Sequence, residues 1–286
     1  MRSRTTLPTR IAPHKRPNTM AHAPVLFISH GAPTFAIEPG LLGPRLQALG
    51  QQLTGVQAGV KAVLVVSPHW QTRDVQVMTT PQPATVHDFG GFPARLYEIQ
   101  YPVAGAPELA HQAADLLTQA GFATSVEARR GLDHGAWVPL YHMLPQRQIP
   151  VFQVSMPYTL TTAQALALGR ALAPLRAQGV VVVGSGSMTH NLREFDPAVT
   201  QIPPYVQAFS AWVRSAVHAN AVNSLVHYRS EAPHAVRAHP TEEHFLPLLV
   251  AVGARSDADH VQLLDGGVEY GILSMDSYAW GMPCEG

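Results

Sequence analysis

The stretch VLFISHGAP, residues 25–33, opens on a short apolar run and sets His30 and Gly31 where that run ends. A run this short, closed by turn-forming residues, reads as a strand buried on both faces of a parallel sheet. Three others read alike: AVLVV (62–66), VFQVSM (151–156) and VVVVG (180–184) are rich in β-branched residues and bounded by Gly, Pro or Ser. Between them lie GPRLQALGQQL (43–53), PELAHQAADLLTQAG (107–121) and AQALALGRALAPLRAQG (163–179), with apolar residues at three- and four-residue intervals, the spacing of covering helices. The alternation predicts an α/β domain over residues 20–286, with a mostly parallel or mixed central sheet flanked by helices. VQLLDGGVEYGILSMDSYAWG (261–281) predicts a hairpin around its DGG turn. The segment from Val75 to Tyr101, which contains HDFGGFP, predicts strands and a loop over the edge of the sheet.

Composition narrows the function classes. Among 286 residues, Lys+Arg and Asp+Glu both total 19, so there is no basic field to hold a phosphate backbone and nucleic acid is not an expected partner. No apolar run approaches the roughly 20 residues that span a bilayer, so no membrane partner is expected either. The one cysteine, Cys284, excludes an internal disulfide framework and a thiolate metal cluster and suits a reducing, cytoplasmic compartment. Residues 1–19 carry Arg2, Arg4, Arg10, Lys15 and Arg16 with no acid and no secretory apolar core, which predicts a disordered basic tail ahead of the domain. Charge balance does not bear on subunit number.

In open α/β sheets, ligands sit beyond the carboxyl ends of the strands. Histidines recur there: His30 after VLFIS, His69 after AVLVVSP and His190 after VVVVGSGSMT. Gly31 lets the backbone turn beside His30, and Pro68 stiffens the approach to His69. In HPTEEHFLPLLVAVGA, Thr241 is placed to cap a helix bearing Glu242, Glu243 and His244 in its first turn, although Pro247 either kinks that helix or marks a later start. A helix amino terminus disfavours imidazolium and leaves the lone pair for a cation. His30 and His69 also have a bland reading, as half-buried rings bonded to a carbonyl, and His244 one as a capping-region histidine with no special role. Three imidazoles suit Zn²⁺ or Fe²⁺ and leave open positions, for hydrolysis in one case or for an organic chelate and O₂ in the other. The Gly-Ser-Gly-Ser of residues 184–187 is no dinucleotide fingerprint, because Thr189 stands where glycine is needed, and no serine-hydrolase elbow, because Gly186 stands at its centre.

Seven ordered motifs carry a resemblance: SHGAP (29–33), SPHW (67–70), HDFGGFP (87–93), LDHGAW (132–137), GSGSMTHNL (184–192), TEEHFLPLL (241–249) and GILSMDSYAWG (271–281). Together they make residues 23–281 similar to the class III extradiol ring-cleaving dioxygenases of the DOPA extradiol dioxygenase type. The resemblance implies that His30, His69 and His244 bind a divalent metal, Fe²⁺ for activity with Zn²⁺ as another occupant. It implies a small aromatic diol and O₂ as substrates and a ring-opened semialdehyde as product. Relatives elsewhere in the superfamily use two histidines and a glutamate, which makes Glu243 an alternative third ligand. His190, in a flexible loop with an ordinary pKa near 6.5, matches the base, or a fourth ligand when zinc is bound. His134 matches a second acid–base or orienting group, the alternative being a loop histidine paired with Asp133. His87 and Asp88 are candidates for orienting a ligand or stabilising a turn, and Trp70, Phe92, Trp137 and Tyr141 for walling the pocket. A zinc-dependent hydrolase, or a non-enzymatic binding protein of the same superfamily, would use the same scaffold.

Overall fold

Four parallel strands form the middle of the sheet because their residues are apolar on both faces and helices cover each. A computed structural model describes residues 22–55, 58–196, 198–199 and 201–282. The strands are β1 (Val25–Ser29), β2 (Ala62–Thr72), β3 (Val75–Met78), β4 (Thr124–Glu127), β5 (Val151–Pro157), β6 (Val180–Gly186), β7 (Val261–Leu264), β8 (Val268–Glu269), β9 (Leu273–Ser274) and β10 (Ser277–Trp280). Eight form one mixed sheet in the order β4-β3-β5-β2-β6-β1-β10-β7, and β8 with β9 forms a separate ribbon. β5, β2, β6 and β1 are parallel, with Ser29 level with Gly186, so their carboxyl ends open on one edge. β3 joins β5 antiparallel, and β10 joins β1 antiparallel.

The helices are α1 (Leu42–Leu53), α2 (Pro107–Gln119), α3 (His134–Met143), α4 (Thr162–Leu172), α5 (Pro204–His218), the short α6 (Val222–Val226), α7 (Tyr228–Glu231) and α8 (Ala235–Ala238), and α9 (Leu246–Ala254). α9, apolar on every face, is buried along its whole length against β1, β6 and α4. α4 starts with a capping box: Thr161 Oγ1 accepts from the Gln164 amide while the Gln164 side chain accepts from the Thr161 amide. Among the described residues no helix is long and apolar enough to cross a membrane. The predicted tail, residues 1–19, and Cys284 lie outside the described residues.

The sequence reading of a single α/β domain with this sheet holds, with local differences. β2 does not end at Val66; its register against β5 shifts between Val66 and Gln71, and the strand continues past His69 to Thr72. The 261–281 segment is no tight hairpin on DGG: β7 pairs with β10 across the inserted β8–β9 ribbon. β3 lies one strand in from the edge, because β4 covers it. Thr241 caps no helix; α9 starts at Leu246 with Pro247 in its first turn, as a proline without an amide proton prefers.

Candidate metal centre

Each of five histidines is delivered to one place by a different local device. His30 follows β1, is buried, and its amide donates to the Gly186 carbonyl at 2.9 Å. Gly31 takes φ +65° so that the chain turns away beside the ring. His69 rides the irregular part of β2, and bulges of this kind re-aim a side chain. Gly135 is required there, since a Cβ would lie 2.3 Å from Ser67 Oγ and 2.9 Å from His69 Cδ2. His134 is the first residue of α3, whose amino cap is Asp133; the cap carboxylate accepts from the Ala136 amide. His244 lies in the turns just ahead of α9 and is buried. His190 follows β6, its amide donating to the Ala238 carbonyl at 2.8 Å.

The rings converge. His30 lies 4.9 Å from His69 and 5.5 Å from His244 between ring centroids, and His69 lies 5.2 Å from His244. His134 stands 3.9 Å from His69, and His190 stacks on His244 at 3.5 Å with planes 10° apart. By donor-atom spacing two groups lie within 4.8 Å: His30, His69 and His134, and His190, Glu243 and His244. The hydrogen bonds say which nitrogen faces inward. The single hydroxyl proton of Ser185 goes to the Gly135 carbonyl, so Ser185 Oγ accepts from His30 Nδ1 at 3.0 Å, leaving His30 Nε2 bare. His244 Nδ1 donates to Glu243 Oε1 at 3.1 Å, and His244 Nε2 is buried with no partner. His134 Nδ1 donates to Asp88 Oδ2 at 3.0 Å, and the same oxygen is 3.7 Å from His69 Nδ1. His30 Nε2 and His69 Nε2 face each other at 3.1 Å.

Electrostatics favours the neutral form of His30, His69, His190 and His244. Burial, then the neighbouring rings led by His69, pulls His30 far below its ordinary value, and burial followed by His190 does the same to His244. Burial and His134 lower His69 to about 3 against the opposing Asp88 carboxylate. Burial alone would raise Asp88, but its bonds to His134 and the proximity of His69 outweigh it and hold the carboxyl at about 2. Neutral imidazoles with Nδ1 occupied and Nε2 turned inward are the form in which histidine binds a metal, and the orphaned His244 Nε2 fits one.

The structure brings His30, His69, His134, His190 and His244 together. It departs from expectation over His190 in two respects, and it bears on the alternatives given for His134 and Glu243. His190 is not on a flexible glycine loop: Gly184–Gly186 belong to buried β6, and Ser187 Oγ donates to the Thr189 carbonyl while Thr189 Oγ1 donates to that of Ile272. Nor does His190 keep an ordinary pKa; burial lowers it to about 4 despite Glu243. His134 pairs with Asp88, not with Asp133, whose carboxylate takes protons from Ser67 and Gln153. Glu243 addresses the outer nitrogen of His244, with Thr241 Oγ1 donating to it at 3.0 Å. His87 bonds to the Ile99 carbonyl, away from the cluster.

A cavity of about 760 Å³ opens on the five rings. Of the four expected wall residues only Phe92 lines it: Trp70 and Trp137 are buried in the core, and Tyr141 lines a separate hollow. Phe89, Phe195 and Tyr270 line it instead. Phe89 was legible as part of HDFGGFP, but nothing in periodicity marks residues on connecting segments that fold back over a site.

The family model described as the catalytic LigB subunit of aromatic ring-opening dioxygenase matches residues 19–278. A 4,5-DOPA dioxygenase extradiol of Beta vulgaris is 39% identical over 254 residues, covering 88% of this chain and 94% of that protein. One from Escherichia coli K12 is 37% identical over 260 residues, covering 88% and 92%. A crystal structure of an uncharacterized Escherichia coli K12 protein superposes with a TM-score of 0.74 at 30% identity, covering 90% of this chain and 99% of that one.

Proposed function

The chain belongs to the LigB family of aromatic ring-opening dioxygenases, and from that premise we propose that His30, His69 and His244 hold the Fe²⁺ on which it opens a catechol-type diol. It is a metal-dependent extradiol dioxygenase, as its family and relatives are. The observation that supports this ligand set is the shared disposition of the three rings. Two have Nδ1 bonded to an oxygen of the protein, the third lies at ion-pair distance from Asp88, and His244 Nε2 has no partner. Fe²⁺ is the working ion and Zn²⁺ a second occupant of the same imidazole set, which accommodates either. Bound there, the iron supplies a Lewis-acidic, redox-active centre at which diol and O₂ meet.

The chain's own groups do the rest. Burial disfavours the charged form of His30, His69, His190 and His244, so these rings do not repel a cation. His190, a cavity-lining ring stacked on His244, offers a lone pair to a phenolic proton, a role worth about 10²- to 10⁴-fold. In zinc-loaded protein the same lone pair is available as a fourth ligand. His134, its Nδ1 proton fixed on Asp88, presents Nε2 to the cavity and orients the diol or returns a proton. Phe89 and Phe92 cover the ring and keep water out. The reading is tested by anaerobic loading with Fe²⁺, then a panel of catechols with O₂ uptake and yellow semialdehyde recorded together. Equimolar uptake and product support it; hydrolysis without O₂ uptake, or binding without turnover, rejects it.

A further inference from the structure

Histidines aside, only two side chains among the described residues lining the cavity are polar, Thr34 and Tyr270. Their hydroxyls lie 2.6 Å apart and bond to no other group among the described residues. Both are fixed relative to the histidines. Thr34 belongs to the short turn, Pro33–Ala36, that follows His30, and the Phe35 amide closes that turn on the Ala32 carbonyl at 2.9 Å. Tyr270 stands at the tip of the β8–β9 ribbon, which is fastened by Thr189, the residue before His190. The Thr189 hydroxyl donates to the Ile272 carbonyl at 2.7 Å and accepts from the Ser274 amide at 2.8 Å.

That tip is an unfavourable place for a tyrosine. The Ile272 amide donates to the Glu269 carbonyl at 3.2 Å, and the two residues between them, Tyr270 and Gly271, take φ +51° and +68°. Turns with positive φ at both centres favour Asn-Gly, and a bulky side chain held in that region marks a site where the strain serves a purpose. Here it sets the phenol against the Thr34 hydroxyl, with the Phe195 ring packed on it at 4.9 Å. Burial raises the phenol pKa, with Glu38 and Glu269 acting alike and the Thr34 bond opposing, so Tyr270 stays a donor at neutral pH. Two hydroxyls hold two protons and their mutual bond uses one, which leaves one to give to a ligand. Bonds linked in such a chain strengthen one another. We propose that the Thr34–Tyr270 pair reads the ring substituent of the diol, binding catechols whose side chain presents a carbonyl or carboxylate oxygen. The inference rests on the ring-opening reading above, in which the metal takes the two diol oxygens and the substituent is left to the cavity wall. No lysine or arginine stands among the described lining residues, so recognition of that oxygen falls to this pair.

The test is anaerobic titration calorimetry of Fe²⁺-loaded full-length protein with 3-(3,4-dihydroxyphenyl)propionate, its methyl ester, and 4-butylcatechol, whose tail has no acceptor. Relative to 4-butylcatechol, the Thr34→Val/Tyr270→Phe double variant should lose about tenfold in affinity for the acid and about fivefold for the ester. Thr34→Ser, which keeps both hydroxyls, should keep both ratios. A fall for the acid alone assigns the pair to a carboxylate and a fall for the ester alone to a neutral carbonyl, each within the proposal. Ratios that stay put for both ligands overturn it, as does a Thr34→Ser protein that loses as much as the double variant. If the double variant does not fold, Thr34→Val and Tyr270→Phe decide singly: at least one must show the fall. Binding needs no O₂, so the two readings separate. Protein that binds the diols in this pattern yet leaves them intact when O₂ is admitted rejects the ring-opening reading alone, protein that opens them without the pattern rejects this one alone, and protein that binds none of the three rejects both.

Discussion

The two ends of the central strands both bury charged or chargeable groups, and they treat them in opposite ways. At the amino ends, Arg176 is almost fully buried and held by three bonds, with Nη2 left unpartnered: Nε donates to the Ala23 carbonyl at 2.7 Å, and Nη1 to the Ala254 carbonyl at 3.1 Å and to Asp259 at 2.7 Å. These bonds tie the starts of β1, β6 and β7 to the end of α9. At the carboxyl ends, five histidines crowd together, with the outer nitrogens of His30, His134 and His244 hydrogen-bonded and His244 Nε2 left without a partner. A polar group whose bonds reach several elements holds a fold together. A cluster that satisfies its periphery and leaves its centre to a guest gives up some stability for function.

The largest expected effect separates the two ends by readout. His69→Ala should reduce turnover to background and remove bound iron, seen by elemental analysis, while the circular dichroism spectrum stays unchanged. Iron and activity surviving that change would dissolve the contrast. Arg176→Ala should do the reverse, lowering unfolding free energy by about 3–5 kcal/mol in denaturant melts because Asp259 and two carbonyls lose their donor. Its turnover per folded molecule should stay near that of the unmodified protein.

A smaller change sharpens the comparison inside the site. Asp88→Asn keeps the shape but weakens the acceptor that fixes His134 and faces His69, and should cost about 10- to 100-fold in metal affinity or kcat/KM. An unchanged value would make Asp88 a turn residue only. Smallest is a pH effect. Burial would raise Asp259, but Arg176 overrides it, so its stabilisation is present above the ordinary carboxyl range and lost as pH falls. Glu269 is instead pushed up to about 7 by burial and by Glu38. Its contribution is full below its ordinary pKa of 4.5 and lost as pH rises through 7. Glu269→Gln should therefore raise stability relative to the unmodified protein by about 1–2 kcal/mol at pH 8 and much less at pH 5. A difference independent of pH would contradict that account.

The parallel strands were readable because burial on both faces leaves little but Val, Ile and Leu to choose from, as in VVVVG at 180–184. Three of the clustered histidines were readable because strand ends in such sheets are where ligands collect. What escaped has physical causes. α3 is apolar nearly all round and contains Pro139, so it shows no amphipathic stripe and reads as a loop motif. The continuation of β2 past Pro68 depends on a register shift that only its partner β5 makes visible. Asp88 belongs to His134 because a long connection folds back over α3, a tertiary contact across 46 residues that no spacing announces. Tyr270 reaches the cavity through the inserted β8–β9 ribbon, where the sequence suggests a plain hairpin.

The most direct measurement is a crystal structure of the anaerobic Fe²⁺-loaded protein with anomalous data at the iron edge. A single peak bonded to Nε2 of His30, His69 and His244, with His134 and His190 outside bonding distance, is the predicted result. A peak held by His30, His69 and His134, or one lying outside the cluster, would contradict the assignment on which the chemistry rests.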